Sequence, residues 1–298
     1  MTFNTVATST LIDPHSPVSL HPEWTSFTNA NYIRAMLVDQ QGDLWTAGSG
    51  GVVHWDVDTG MYTKYTTEHG LASNYVRSIA QTADGVLWFG TCWGGLSYFD
   101  GKNWKSFTTE DGLLSNCIVS MAVTPDGMLW VGTYGGVNRY DGESWTSYTS
   151  RTNENAPYRA DVLTVAMDGT LWVGGHDDGG LRQFDGEKWL DFSQNMPDKS
   201  VTAIAFTTDG TMWVGGKDIL SSYHNGFWKT HPITNPNQST CVSTITVTQT
   251  GTVWVGFSLY ELEYEKREGF PKKKGTIPGC FPIGWGCLDR CQYTGWIG

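Results

Sequence analysis

The sequence lacks the long apolar run that a membrane-spanning helix requires. Its 298 residues contain no uninterrupted apolar stretch of about 18 residues. Residues 1–23 also lack the basic cluster and apolar segment of a signal peptide. We therefore expect no membrane insertion and a cytoplasmic location for the chain as it stands, or an extracytoplasmic location if it is part of a larger protein.

Basic residues are scarce as well. The chain has 19 lysines and arginines against 30 aspartates and glutamates, so its formal net charge is −11. An acidic surface repels phosphate groups, and we therefore expect no nucleic-acid partner. Nothing in the sequence indicates an oligomer, and we expect a monomer.

Cysteines are few, and their spacing does not form a disulfide framework. Three of the six crowd together near the end of the chain, while Cys92, Cys117 and Cys241 fall at different points of the repeat described below. We interpret these three as packing residues.

Motifs of common hydrolases and nucleotide-binding proteins are missing too. The sequence has no Gly-x-Ser-x-Gly, no His-Glu-x-x-His and no phosphate-cradling glycine loop. We therefore predict no catalytic residue from a motif and no cofactor.

Glycine and aromatic residues are abundant, and they recur with a period. The chain has 36 glycines, 15 tryptophans, 13 tyrosines and 12 phenylalanines, a composition typical of short strands and tight turns. A turn followed by Leu, Met or Val and then tryptophan recurs every 41 to 43 residues. The six tryptophans are Trp45, Trp88, Trp130, Trp172, Trp213 and Trp254. Such a period predicts stacked repeats, in which these tryptophans pack between neighbouring units.

Each copy of the repeat predicts four strands. An alternating first strand leads through an Asp-Gly turn to the tryptophan strand, and a glycine-rich loop leads on to a third and a fourth strand. We therefore predict an all-β fold, a β-propeller of six four-stranded blades over residues 24–264. Residues 1–23 form a lead-in and residues 265–298 an irregular tail. A seven-bladed or truncated ring is the alternative.

The last copy has no fourth strand of its own. The segment Trp24-Thr25-Ser26-Phe27 precedes the first copy and resembles the fourth strand Trp145-Thr146-Ser147-Tyr148. We predict that it pairs with the final blade and closes the ring, which would remove the exposed sheet edges of an open array.

The repeat resembles the two-component regulator propeller repeat. Residues 76–99 read VRSIAQTADGVLWFGTCWGGLSYF, and residues 118–140 are nearly as close to the family pattern. In that family the propellers commonly form the extracytoplasmic sensor part of hybrid histidine kinases and respond to glycans. The resemblance implies ligand recognition in signal transduction, with carbohydrate as the expected ligand.

Candidate ligand-binding residues lie where the repeat is broken. In a propeller, the loops between blades and the loops between strands two and three meet on one end face, here called the upper face. Trp93 and Tyr134 occupy such loops, where they either stack on a sugar ring or cover their own blades. The pairs Tyr32–Arg34 and Tyr75–Arg77 begin the first strands of adjacent blades. Their arginines either bind a carboxylate or sulfate, or pair with Asp161 or another acidic neighbour.

The remaining candidates on the upper face are polar. They are His176, Asp177, Asp178, Lys217 and Asp218. Adjacent residues of one loop rarely converge on an ion, and we therefore predict no metal there.

Three functions remain open on the sequence. The first is non-catalytic recognition of a small glycan, a peptide or a partner protein. The second is a propeller-type lyase or hydrolase, similar to the streptogramin lyases, with His69 and His176 as the acid and base. The third is a structural repeat scaffold. We predict the first.

Overall fold

The chain folds into a series of antiparallel β-sheets. A computed structural model describes residues 32–177, 179–233, 238–248 and 250–256, and outside these only the strands whose bounds follow. The strands are β1 (Val18–His21), β2 (Trp24–Ser26), β3 (Ile33–Val38), β4 (Leu44–Gly48), β5 (Gly51–Trp55), β6 (Tyr62–Tyr65), β7 (Val76–Gln81), β8 (Leu87–Thr91), β9 (Leu96–Phe99), β10 (Trp104–Phe107), β11 (Ile118–Val123), β12 (Leu129–Thr133), β13 (Gly136–Tyr140), β14 (Trp145–Tyr148), β15 (Val162–Val165), β16 (Leu171–Gly175), β17 (Gly180–Phe184), β18 (Trp189–Asp191), β19 (Ala203–Phe206), β20 (Met212–Gly215), β21 (Ile219–His224), β22 (Phe227–Pro232), β23 (Gln238–Val247), β24 (Val253–Glu261), β25 (Tyr264–Arg267), β26 (Phe270–Lys273) and β27 (Thr294–Ile297). Short 3-10 helices span Thr67–His69, Thr109–Asp111 and Ser193–Asn195.

Six of the sheets are the blades of a β-propeller. Blades one to five contain β3–β6, β7–β10, β11–β14, β15–β18 and β19–β22, four strands each, and blade six contains β23, β24 and β27. The first strands of successive blades lie side by side, as expected for sheets stacked around an axis. The all-β propeller predicted from the repeat is confirmed. None of the helices in these described parts of the chain is long and apolar enough to cross a membrane.

Side chains hold the turn between the first two strands of a blade. In blade three the Thr124 hydroxyl donates to Asp126 Oδ1 at 2.5 Å, and the Trp130 indole N–H donates to the Thr124 hydroxyl at 3.2 Å. Gly127 follows with a φ of 85°, which a residue with a side chain rarely adopts. Blade two repeats these bonds with Thr82, Asp84 and Trp88. The Asp-Gly signal in the sequence therefore marks a turn that also fixes the tryptophan.

The equivalent turn of blade five leads us to predict how the stability of the fold depends on pH. The pKa of Asp209 is lowered from 3.8 to about 2 because its carboxylate accepts hydrogen bonds from the Thr207 hydroxyl and from Thr211. A lowered carboxyl pKa stabilises the fold above pH 3.8, and this contribution is lost as the pH falls towards 2. We expect the Asp209→Asn variant to lose less stability than the unaltered protein when urea denaturation is followed from pH 5 to pH 2.

The control for this prediction is Asp58→Asn. Asp58 is exposed in the β5–β6 turn, and its side chain makes no hydrogen bond to any residue of the described ranges. That variant should follow the pH profile of the unaltered protein. Identical profiles for the Asp209 and Asp58 variants would contradict the prediction.

The tryptophans of the second strands pack between blades. Trp130 is 2% exposed and lies in one apolar cluster with Leu163 and Leu171 of blade four. Trp88 likewise packs with Ile118 of blade three. The interpretation of these tryptophans as packing residues is confirmed where the next blade is present. Burial of such apolar surface contributes about 25 cal/mol per Å², so these contacts are the main reason that the blades stack.

The outer faces of the two end blades are uncovered. Ile33 of blade one is 51% exposed, whereas Val76, at the same position of blade two, is fully buried against blade one. Trp254 of blade six is 39% exposed, in contrast to the 2% of Trp130. Within the part of the chain that the structure describes, these residues of the first and last blades therefore lack the neighbouring blade that covers their equivalents.

The predicted pairing of the N-terminal strand with the final blade is wrong. In the structure β2 pairs with β1, where Trp24 is opposite His21 and Ser26 opposite Val18. A two-residue connection joins these strands, so their pairing costs far less chain entropy than contact with a strand more than 200 residues away. The limits of 24 and 264 for the propeller domain remain predictions.

The predicted third strand of the final blade is also wrong. The β23–β24 hairpin continues to Glu261, and β27 pairs with Val255–Ser258 as the third strand. Copies one to four have a glycine pair between strands two and three, such as Gly94-Gly95, which ends the second strand. Copy six has Ser258-Leu259-Tyr260 instead, and nothing in this segment stops the hairpin. The tail predicted to be irregular contributes this strand.

Candidate functional site

Trp93 stands at the tip of the loop between β8 and β9 in a strained conformation. Its φ is 72° and its side chain is 69% exposed. The next residue, Gly94, lies very close to the segment that connects blades one and two. A Cβ atom on Gly94 would be 2.5 Å from the Ala72 carbonyl oxygen of that segment. The loop is therefore pressed against that connection, and the left-handed backbone at Trp93 turns the indole outward. Strain of this kind in a bulky residue is typical of functional sites.

Tyr75 lies beside Trp93 and links it to blade one. The two ring centroids are 5.5 Å apart with an interplanar angle of 49°. Arg34, from β3 of blade one, places its guanidinium carbon 4.7 Å from the centre of the Tyr75 ring. Tyr32 precedes this strand with a φ of 110° and is 50% exposed. An aromatic surface with a cation against it thus crosses from blade one to blade two.

Arg77 continues this surface to blade three. Its Nη1 donates a hydrogen bond to the Tyr134 hydroxyl at 2.7 Å and lies 3.9 Å from Cys92 Sγ. Its guanidinium carbon is 5.9 Å from the centre of the Tyr134 ring. Within the described ranges Arg77 has no carboxylate partner. The alternative that Asp161 neutralises Arg77 does not hold.

Asp161 pairs instead with Arg159, a residue that the sequence interpretation missed. Arg159 Nε donates to Asp161 Oδ2 at 2.5 Å, and Arg159 Nη1 is 3.5 Å from Asp177 Oδ2. Burial alone would lower the pKa of Arg159, but the hydrogen bond and charge of Asp161 outweigh it and raise the pKa. The guanidinium carbon is also 5.0 Å from the centre of the Tyr134 ring. Arg159 is thus a buried, neutralised cation.

These contacts define one continuous site on the upper face of blades one to four. We call it the upper-face cluster, and its members are Arg34, Tyr75, Arg77, Trp93, Tyr134 and Arg159. Each arginine lies against a tyrosine that belongs to a neighbouring blade or blade connection. Five of the six members were candidates from the sequence.

Four of the polar upper-face candidates make hydrogen bonds to other parts of the fold. The His176 backbone N–H donates to Asp161 Oδ2 at 2.8 Å, and the Asp177 carbonyl accepts from the Tyr158 hydroxyl at 2.7 Å. Asp178 lies outside the described residues. In blade five the Lys217 N–H donates to Asp198, and Asp218 Oδ1 accepts from the Thr240 N–H. No contact described for Lys217 or Asp218 reaches the upper-face cluster.

No described contact joins the two histidines proposed as acid and base. His69 Nδ1 accepts the Thr66 backbone N–H at 3.1 Å and lies 3.1 Å from the Thr66 hydroxyl, which closes the 3-10 helix at Thr67–His69. His176 belongs to the loop of blade four. The described contacts connect His69 with its own turn and not with His176.

Three possible metal ligands converge elsewhere. Ligand atoms of Asp39, Asp43 and His54 lie within 4.8 Å of one another, the one such group in the described residues. Asp39 Oδ2 already accepts the Trp45 indole N–H at 2.7 Å, and Asp43 Oδ2 lies 2.9 Å from His54 Nε2. These side chains bond to each other and to their hairpin, so the group has a structural explanation.

Two of the cysteines interpreted as packing residues are in fact bonded. Cys92, at the end of strand β8, and Cys117, at the start of strand β11, form a disulfide between blades two and three. The interpretation failed because the two residues are close only once the blades stack. Cys241 is buried, as expected of a packing residue. The disulfide lies beside Arg77, and it ties the β8–β9 loop that contains Trp93 to the next blade.

Comparison with known proteins supports the repeat and the fold. The family described as two component regulator propeller matches residues 70–93, 112–135 and 195–218. No curated protein sequence matches the chain.

Solved structures resemble the chain at low identity. The extracellular domain assigned to the hybrid two-component system BT3049 of B. thetaiotaomicron is 21% identical, with a TM-score of 0.62 over 78% of this chain and 33% of that one. The extracellular domain assigned to the one-component system BT4673 of the same organism is 19% identical, with a TM-score of 0.63 over 78% and 34%. Virginiamycin B lyase from Staphylococcus aureus is 15% identical, with a TM-score of 0.58 over 80% and 82%.

These likenesses show the fold alone. The chain spans about a third of the length of the two extracellular domains. The sequence matches and the blades lead to one conclusion: the chain folds as a β-propeller, and three of its segments match the repeat of the two-component regulator propeller family.

Proposed function

We propose that this propeller is a non-catalytic recognition module of an extracytoplasmic sensor and that it binds a carbohydrate on the upper-face cluster. The observation that carries the proposal is Trp93, an indole that is 69% exposed in a strained loop and flanked by Tyr75 at 5.5 Å. Flat aromatic faces stack on the apolar faces of sugar rings, and a rigid scaffold that presents them needs little reorganisation on binding.

Redox chemistry and the similar structures support an extracytoplasmic location. A disulfide such as Cys92–Cys117 persists in oxidising compartments and is rare in the cytosol. Two of the similar structures are the extracellular domains assigned to a hybrid two-component system and to a one-component system. Both facts favour an extracytoplasmic module over the cytoplasmic location expected for the chain as it stands.

A lyase is the weaker candidate. The similarity to virginiamycin B lyase is at 15% identity, which supports a shared fold only. An acid–base pair must lie within reach of one substrate, and His69 is held in its own turn by Thr66. Recognition needs only a surface of the kind that the cluster provides.

The test is binding to a glycan array that includes matched acidic and neutral oligosaccharides. We expect the unaltered protein to bind at least one oligosaccharide and Trp93→Ala to weaken that binding by about 30-fold, the effect of removing a central aromatic contact of about 2 kcal/mol. The matched control is Phe227→Ala. Phe227 is 79% exposed at the β21–β22 turn on the opposite face, so its loss should leave binding unchanged.

Two results would count against this function. The first is no binding to any oligosaccharide of the array. The second is binding that Trp93→Ala leaves intact, because the ligand would then sit elsewhere on the propeller.

A further inference from the structure

The charges of the upper-face cluster are unevenly compensated. Arg159 has two carboxylate neighbours, Asp161 at 2.5 Å and Asp177 at 3.5 Å. The hydrogen-bond partners of the Arg77 side chain among the described residues, the Tyr134 hydroxyl and the Cys92 sulfur, are both uncharged. In a chain of net charge −11, with 11 more acidic than basic residues, an uncompensated arginine in a loop cluster needs an explanation.

The hydrogen bonds of Arg77 leave one edge of its guanidinium open. Both of its recorded bonds, to Tyr134 and to Cys92, use Nη1. The Nε and Nη2 groups donate to no residue in the described ranges, and they are not buried without a partner. This Nε–Nη2 edge is the one that binds a carboxylate or sulfate through two parallel hydrogen bonds.

Tyr134 holds that edge in position. Its hydroxyl accepts the 2.7 Å bond from Arg77, and Arg159 lies 5.0 Å from the centre of its ring on the side of blade four. The disulfide anchors Cys92, 3.9 Å from Arg77 Nη1, to the next blade. A fixed guanidinium loses little side-chain entropy when it binds an anion, which favours a specific contact over a diffuse attraction.

Arg77, whose open edge is the candidate anion site, lies next to the loop of Trp93, whose indole is the proposed platform for the sugar. Cys92 contacts Arg77, and Trp93 is the next residue in the chain. We therefore expect a sugar ring on Trp93 to have substituents within reach of Arg77.

We propose that the ligand carries an oxoanion, a carboxylate or a sulfate on a sugar, and that Arg77 selects it. This inference rests on the proposed function, since it assigns the charge of the ligand that the upper-face cluster binds. From the sequence, Arg34 and Arg77 were both candidates for binding the anion. The contacts of the structure assign the role to Arg77, because its remaining donors have no partner in the described part of the chain.

The experiment compares matched oligosaccharides by titration calorimetry. Oligogalacturonide is compared with its methyl ester, and a sulfated carrageenan oligosaccharide with its desulfated form. We expect at least one acidic form to bind at least about tenfold more tightly than its neutral match, with the difference reduced at high salt. The pair that shows the difference tells carboxylate from sulfate.

Arg77→Gln should abolish the preference for the acidic form, so that acidic and neutral forms bind the variant with equal affinity. The control is Arg151→Gln, at an exposed arginine beyond the outer strand β14, which should keep the preference. Circular dichroism and thermal unfolding establish that both variants fold. Because the neutral form reports on the sugar platform, the two proposals are tested separately.

Three results would overturn this inference. They are equal binding of acidic and neutral forms, binding of neutral forms alone, and a preference for the acid that survives Arg77→Gln. Each of these leaves the sugar platform in place. Absence of binding to every oligosaccharide, in contrast, removes the proposed function and this inference with it.

Discussion

Replacement of Trp130 by alanine is expected to lower the free energy of unfolding by about 3 to 5 kcal/mol, the range for a large aromatic removed from a packed core. Trp130 is 2% exposed, and its ring centroid lies 5.0 Å from that of Phe184 in blade four. Its indole N–H also bonds to Thr124 and so stabilises the turn of its own blade. The variant therefore loses contacts within blade three and between blades three and four. Urea denaturation measures the effect.

Trp254→Ala is the matched control. This tryptophan has the same place in the repeat, but it is 39% exposed because no following blade covers it among the described residues. Its removal should cost less than half as much as that of Trp130. Equal losses at the two positions would show that stacking between blades is not what the tryptophans contribute.

Removal of the Cys92–Cys117 disulfide is the second large effect. The bond closes a segment with a sequence separation of 25 residues, and a cross-link of this length stabilises a fold by about 3 kcal/mol in the chain-entropy description. We expect the double variant Cys92→Ser, Cys117→Ser to lose about that much free energy of unfolding. Urea denaturation under non-reducing conditions provides the measurement.

Reduction of the disulfide in the unaltered protein separates the effect of losing the bond from the effect of replacing the two cysteines. Dithiothreitol should lower the stability of the unaltered protein towards that of the double variant and should leave the double variant unchanged. Free thiols at Cys92 and Cys117 in the oxidised protein, detected by alkylation and mass spectrometry, would contradict the account.

The fold was largely predictable because the same local sequence features recur in several copies of the repeat. The tryptophans, the Asp-Gly turns and the alternating strands occur in copy after copy, and each feature agrees with a four-stranded blade. The two errors lie at the ends, where copy six has no glycine after strand two and where β1 offers β2 a partner two residues away. Local sequence decided the pairing in both places, and similarity to a distant repeat did not.

The site was predictable only in part, because its contacts form between blades. Subtraction of the repeat found Trp93 and Tyr134, which differ from their equivalents in the other copies. Tyr75 and Arg77 were candidates because they share their positions with Tyr32 and Arg34 of copy one. Subtraction did not find the disulfide, whose cysteines stand 25 residues apart at different positions of the repeat. It also missed Arg159, although Arg159 and Asp161 are two residues apart and of opposite charge in a blade connection. That pairing was a usable signal.

A crystal structure of the propeller with the acidic oligosaccharide it binds most tightly tests the central claim most directly. The account predicts a sugar ring on the Trp93 indole and an oxoanion within hydrogen-bonding distance of Arg77 Nε and Nη2. A ligand in the cleft of about 510 Å³ between blades three and four, lined by Thr124, Arg139 and Met167 among others, would contradict it.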